Sequence, residues 1–308
     1  MRVYYADHFV LPLPEGHRFP MRKYRMLRDA VAERLDGVEL LEAQRADDAM
    51  LLLAHDAQYV AQVSLGQLDA ARQREIGFPW SEAMVERSRR SAGATVQACR
   101  AALHDGIAAN LAGGTHHAYA DKGGGFCVFN DAAIAARVMQ RDGCVQRAAI
   151  IDLDVHQGNG TASILSGDPT VFTLSLHGEK NYPFRKEASD LDVGLPDGCG
   201  DDDYLGALQA ALDAMLGRFS PDLAIYLAGA DPHEGDRLGR LKLTLPGLAR
   251  RDDAVFGTLA RHRIPVAVAM AGGYGNRIED TVAVHLQTIA RASAWQRRWL
   301  DRHATPTP

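Results

Sequence analysis

Seven short apolar runs punctuate the chain: RVYYA, AMLLLAH, IAANLAGG, RAAIIDLDV, TVFTLSLH, DLAIYLAGAD and IPVAVAMAGGY. They are apolar at nearly every position rather than at alternate ones, the pattern of strands buried on both faces of a parallel sheet. Between most of them the apolar residues fall at helical spacing. Ser81 is placed to cap a long helix running toward His104, and further helices are predicted over 130–142, 203–218, 246–261 and 279–299. Strands alternating with helices build βαβ units. The fold class read from the pattern is therefore α/β, a single domain over residues 1–308, with a central, mostly parallel sheet and helices on both faces. No internal repeat, low-complexity linker or charge block divides the chain, and RHATPTP at its end is expected to fray.

Sheets of this kind bind ligands beyond the carboxyl ends of their strands. Those ends carry unusual cargo here. His116 and His117 follow NLAGG, and Asp152, Asp154 and His156 close the run IDLDVH; Ser175 and His177 end FTLSLH, Asp231 follows YLAGA, and Tyr274 follows MAGG. Ionised carboxylates at the end of a core strand are costly unless a cation or hydrogen bonds compensate them. Asp154 and His156, two apart in an extended segment, would point the same way and share one divalent cation, with Asp231 as third ligand and one position open for water. The ordinary alternative is a turn-capping Asp154 and a satisfied core histidine. His116 and His117 lie between two glycine-rich stretches, where an imidazole with a fixed partner can serve as general base. Asp152 and Asn159 are the natural partners, and a solvent-exposed histidine pair is the ordinary alternative. Tyr274 either caps the core or donates to an oxyanion. Asp152 also needs a second partner, which a histidine N–H or a monovalent cation near Ser175 would supply.

Composition narrows the class. With 308 residues, 46% of them hydrophobic, the chain can bury a large core. A net charge of −5 with no basic block gives no support for nucleic-acid binding. The N-terminus has neither a membrane span nor a secretory pattern, so no membrane partner is expected. The four cysteines, Cys99, Cys127, Cys144 and Cys199, contain no CxxC pair; they read as reduced thiols of a cytoplasmic protein and argue against cysteine-ligated zinc.

The segments GGTHHAYADKGGGFCVFNDAAIA, IIDLDVHQGNGT, FTLSLH, AGADPHEGDRLG and AGGYGNRIEDTV resemble, in this order, the histone deacetylase superfamily, which shares its fold with arginase. GFPWSEAMVERSRRSAGAT and GEKNYPFRKEASDLDVGLPDG are most similar to its class IV-like bacterial branch. The resemblance implies an eight-stranded arginase/deacetylase fold and zinc-dependent hydrolysis of an N-acetyl or longer N-acyl amide on a lysine side chain. It assigns one catalytic zinc, with ferrous iron as the other candidate, to Asp154, His156 and Asp231. It makes His117, backed by Asn159, the general base and acid, His116, backed by Asp152, its electrostatic partner, and Tyr274 the carbonyl-polarising group. Gly125 and Phe126 would line the tunnel for the acyl-lysine stem. A structural potassium ion would sit at Asp152, Asp154, His156, Ser175 and Leu176, and a second at Leu165, Asp168 and Val171. Asn159 departs from the class I pattern, which has Asp there. Arginase's second carboxylates are missing, favouring one catalytic metal. Two rival readings remain: hydrolysis of an acetylated polyamine or other small acylated amine, for which Glu179, Glu187, Asp190 and Glu234 would supply an acidic rim, and a non-catalytic metal- or acyl-binding protein. Oligomeric state, homo-oligomer included, stays open.

Overall fold

The computed structural model describes residues 1–303. Eight strands form one sheet: β1 (Arg2–Tyr5), β2 (Glu39–Glu42), β3 (Ile107–Asn110), β4 (Ala148–Asp152), β5 (Val171–Gly178), β6 (Leu191–Leu195), β7 (Leu223–Leu227) and β8 (Val266–Ala269). Their order is β2-β1-β3-β8-β7-β4-β5-β6, and every pairing is parallel. The helices are α1 (Lys23–Arg34), α2 (Asp48–Leu51), α3 (Ala57–Leu65), α4 (Ala70–Ile76), α5 (Glu82–Asp105), α6 (Asp131–Arg141), α7 (Asn159–Leu165), α8 (Asp201–Arg218), α9 (Leu245–Arg261) and α10 (Ile278–His303).

The strands alternate between two cores, as a doubly covered sheet requires. Ile150, Ile225 and Ala267 pack with Val96 of α5 and Ile134 and Val138 of α6. Ile151, Tyr226 and Val268 pack on the other face with Leu27 of α1, Leu212 of α8, Phe256 of α9 and Ile289 of α10. Several helix starts follow side-chain capping. Ser81 accepts from the Met84 N–H, Asn130 from Ala133, and Thr244, with Pro246 in the first turn, from Gly247.

The run AMLLLAH forms no strand. Asp47 caps a short helix there, α2, and Leu51 and Ala54 are buried while Leu52 is exposed, which is helical spacing. The two edge strands, β2 and β6, escape an apolar-run reading because they carry Glu39, Glu42 and Asp192 on partly exposed faces. Of the tail expected to fray, residues 302–303 continue α10 and 304–308 lie outside the described residues.

Register sets the site. Asn110 pairs with Ala269, Ala269 with Leu227, Leu227 with Asp152 and Asp152 with Ser175, so four strands end in one row, beside Ser175 of β5. The loops leaving that row converge at the centre of the carboxyl edge.

Candidate active site

β4 ends at Asp152, and the segment beyond it bends. The expected extended DxDxH is therefore not what aligns Asp154 with His156. Two carboxylates fold the bend: Asp152 Oδ1 accepts from the Asp154 N–H at 3.1 Å, and Asp154 Oδ1 from the His156 N–H at 2.9 Å. Neighbouring loops fasten it. Asp231, after β7, accepts from the Val155 N–H at 2.9 Å, and the Gly272 N–H, after β8, donates to Asp154 Oδ2 at 2.7 Å. Gly272 must be glycine, since a Cβ would lie 2.0 Å from Asp231 Oδ2.

Asp154, His156 and Asp231 offer ligand atoms within 4.8 Å of one another, all buried. His156 Nδ1 faces both acids, at 2.9 Å from Asp154 and 3.4 Å from Asp231. Burial and the Asp154 charge push Asp231 up to about 7, and its Oδ2 accepts no hydrogen bond. Such an oxygen needs a cation or a proton. Two carboxylates and one imidazole with an orphaned oxygen at their centre fit a divalent ion of the zinc type.

His116 and His117 are both buried, and their rings lie 4.1 Å apart. His116 Nδ1 meets Asp152 Oδ2 at 2.6 Å, and its Nε2 lies 3.8 Å from Asp154. Burial opposes its charge, but Asp152 and Asp154 outweigh burial and push it up to about 9. His117 Nδ1 meets Asn159 Oδ1 at 2.7 Å. Asn159 donates its Nδ2 to the Tyr119 hydroxyl at 2.9 Å, which fixes Oδ1 toward the ring. His117 Nδ1 is therefore the donor, and Nε2 is left as an acceptor. Burial, then the neighbouring His116 and His156, hold its pKa well below the ordinary value, so the ring is neutral.

Tyr274 is buried by Phe19 and Phe126, with ring centroids at 6.4 and 6.0 Å. Its peptide is held by Asp236, which the sequence reading missed: the Tyr274 N–H donates to Asp236 Oδ2 at 2.6 Å. Burial drives the phenol pKa far up, so the hydroxyl is a donor. The histidine pair, Asp154, His156 and Tyr274 line one cavity of about 540 Å³, together with Gly125 and Phe126. Gly125 has φ 54° and Phe126 φ 66°, backbone that places their chain against His117, where a Cβ on Gly125 would come within 2.7 Å of the ring. Tyr182, also missed, packs edge-on to His117, with ring centroids 4.9 Å apart. Its only sequence signal is an aromatic in the polar loop after β5.

The remaining candidates are spread out. Ser175 pairs in register with Asp152, and its hydroxyl bonds His177 Nδ1 at 3.0 Å; Leu176 follows it on β5. Asp168, in the turn between α7 and β5 with Leu165 and Val171 at its ends, is engaged by Arg137 and Thr170. The acidic rim is not formed. Glu179, Glu187, Asp190 and Glu234 do not line the cavity, whereas Arg18, Arg74, Lys180 and Arg240 do, with Glu75 as the one acid at the surface. Asp190 instead accepts from Thr173, and Glu187 from Tyr119.

Residues 17–289 match the histone deacetylase domain. The chain belongs to the histone deacetylase family. Among its family relatives, an uncharacterized protein of Picosynechococcus sp. is 47% identical over 92% of this chain and 95% of its own length. Histone deacetylase 2 of Arabidopsis thaliana is 32% identical over 89% and 72%. The acetoin utilization protein AcuC of Bacillus subtilis is 27% identical over 97% and 81%. The crystal structure of the HDA15 HD domain superposes with a TM-score of 0.79 at 23% identity, covering 98% of this chain and 95% of that one. An HDAC homolog from Aquifex aeolicus gives 0.76 at 24% identity over 100% and 85%. At those identities the solved structures establish the arginase/deacetylase fold of the family. No helix among the described residues is long and apolar enough to cross a membrane.

Proposed function

We propose that this histone deacetylase-family hydrolase removes an acyl group from an N-acylated lysine side chain with the help of one zinc ion. The observation that carries this reading is a neutral His117, its free Nε2 sharing a cavity with the buried Asp154–His156–Asp231 cluster and Tyr274. Zinc, held by those three residues, would supply Lewis acidity to the acyl carbonyl and to the attacking water. His117 Nε2 takes the water's proton and returns it to the leaving nitrogen. His116, kept cationic by Asp152, stabilises negative charge built up beside it, and the Tyr274 hydroxyl donates to the developing oxyanion. Gly125, Phe126 and Tyr182 form the walls for the lysine stem.

Ferrous iron would use the same donors. We also assign a structural potassium ion to the turn around Asp152, Asp154, His156, Ser175 and Leu176, and a second to Leu165, Asp168 and Val171. We also propose a cytoplasmic location, on the sequence pattern of four cysteines without a CxxC pair. Cationic polyamines are disfavoured by the basic mouth.

The test is turnover of acyl-lysine peptides with the metal content measured in the same sample. Asp154→Ala should lose both zinc and turnover, because two remaining ligands do not retain the ion. Full zinc occupancy in that variant, by elemental analysis, would overturn the ligand assignment. Multiple turnover in the parent protein separates an enzyme from a binding protein on the same scaffold.

A further inference from the structure

Beside Tyr274 the cavity is also lined by the start of α1 and the first half of α5. Its wall there holds Lys23 and Arg87, which are 2% and 7% exposed, with Tyr24, Ser88, Ser91 and Gly113. Neither cation pairs with a carboxylate among the described residues. Lys23 Nζ reaches only the Gly273 carbonyl, at 3.3 Å, and lies 5.4 Å from the centre of the Tyr274 ring. Arg87 stacks over the Tyr24 ring at 4.2 Å, and Lys23 lies 5.2 Å from the centre of the same ring. Asp7, the acid that exerts a pull on Arg87, is paired with Arg28 at 3.0 Å. Two buried cations lacking a counter-anion are expensive to keep, and other buried cations of this chain have one: Arg251 pairs with Asp252 at 2.9 Å and Arg89 with Asp48 at 2.6 Å.

We infer that this cationic chamber recognises a carboxylate at the far end of the substrate's acyl group, so that the preferred substrates are lysines carrying a short dicarboxylic acyl such as succinyl or glutaryl. The inference rests on the amide-hydrolase reading above and names its substrate class. Two features carry it. The chamber adjoins Tyr274, with Lys23 Nζ 5.4 Å from the centre of its ring, so an acyl group whose carbonyl meets the hydroxyl carries its tail within reach of the two cations. An alkyl tail there would cover two cations without replacing their water, whereas a carboxylate satisfies both through charge-assisted hydrogen bonds. The reaction needs no further reagent. Water adds across the amide C–N bond, the amine leaves with the proton, and the dicarboxylic acid carries the hydroxyl.

The experiment compares one peptide bearing acetyl-, butyryl-, succinyl- or glutaryl-lysine on the zinc-loaded protein, with Lys23→Met and Arg87→Met beside the parent and folding checked by melting temperature. A charged hydrogen bond of the usual strength gives succinyl or glutaryl a kcat/KM about 10-fold or more above acetyl and butyryl, and each variant reduces that ratio about 10-fold. Acetyl or butyryl as the best substrate, or an unmoved ratio in a folded variant, overturns the inference. Turnover of none of the four would sink the hydrolase reading instead. In that event calorimetric titration with glutarate decides the chamber on its own: binding that is lost in Lys23→Met supports it, and no binding, or equal binding, overturns it.

Discussion

The two histidine–acceptor pairs at the floor of the cavity are adjacent in sequence and opposite in electrical character. His116 points at Asp152 and lies close to Asp154, so two acids surround it and it carries a proton at neutral pH. His117 points at Asn159, an amide without charge, and sits among other imidazoles, so it stays neutral. Burial disfavours the charge of both rings alike. The difference is therefore made by the charges around each ring, carboxylates beside His116 and other imidazoles beside His117, and it divides labour: a ring that already holds its proton stabilises charge, and an empty one can accept a proton.

Deleting each ring breaks the comparison most directly. His117→Ala should lower kcat by about 10²–10⁴, the usual contribution of a positioned base, and His116→Ala by less. Equal losses in steady-state kinetics would remove the division of labour. Tyr274→Phe should fold normally and lose about 10²–10³ in kcat, as when an oxyanion donor is removed; unchanged turnover would exclude the hydroxyl from the chemistry. The smallest and sharpest test is Asn159→Asp, which gives His117 the kind of partner His116 has. A carboxylate favours the protonated ring, and a protonated ring cannot act as base. Activity should therefore fall as pH drops through the raised pKa, and the acid limb of the kcat/KM profile should move toward neutrality relative to the parent. A profile that stays put would show that His117 is not set by position 159.

A second contrast, between the centre and the edges of the sheet, governs what the sequence revealed. β4, β7 and β8 are buried on both faces, so their composition is continuously apolar and their ends stand out. β2 and β6 are edges with exposed acids, and nothing in a four- or five-residue amphipathic run separates them from a loop. AMLLLAH misled in the opposite sense, since apolar density does not distinguish a strand from a buried helical turn. Asp154, His156 and Asp231 were legible as a cluster because three polar groups ended two apolar runs. The reason given for the first two was not, because their alignment comes from an Asp-stabilised bend rather than from strand periodicity. Asp236 carried no signal and Tyr182 only that of an aromatic in a polar loop: one acts by holding the peptide of Tyr274, the other by packing against His117 and His156.

The sequence by itself determined the layered α/β class, the Ser81 cap of the long helix and the chemistry gathered at the strand ends, because burial and local hydrogen bonding write periodic or short-range patterns into the chain. Only the tertiary structure decided which imidazole is charged, that the mouth is basic, and that Lys23 of α1 and Arg87 of α5 face one cavity without a carboxylate partner among the described residues. Those properties depend on distances between residues far apart in sequence. Electrostatic energy follows such distances and the local loss of water, and neither is written in residue order.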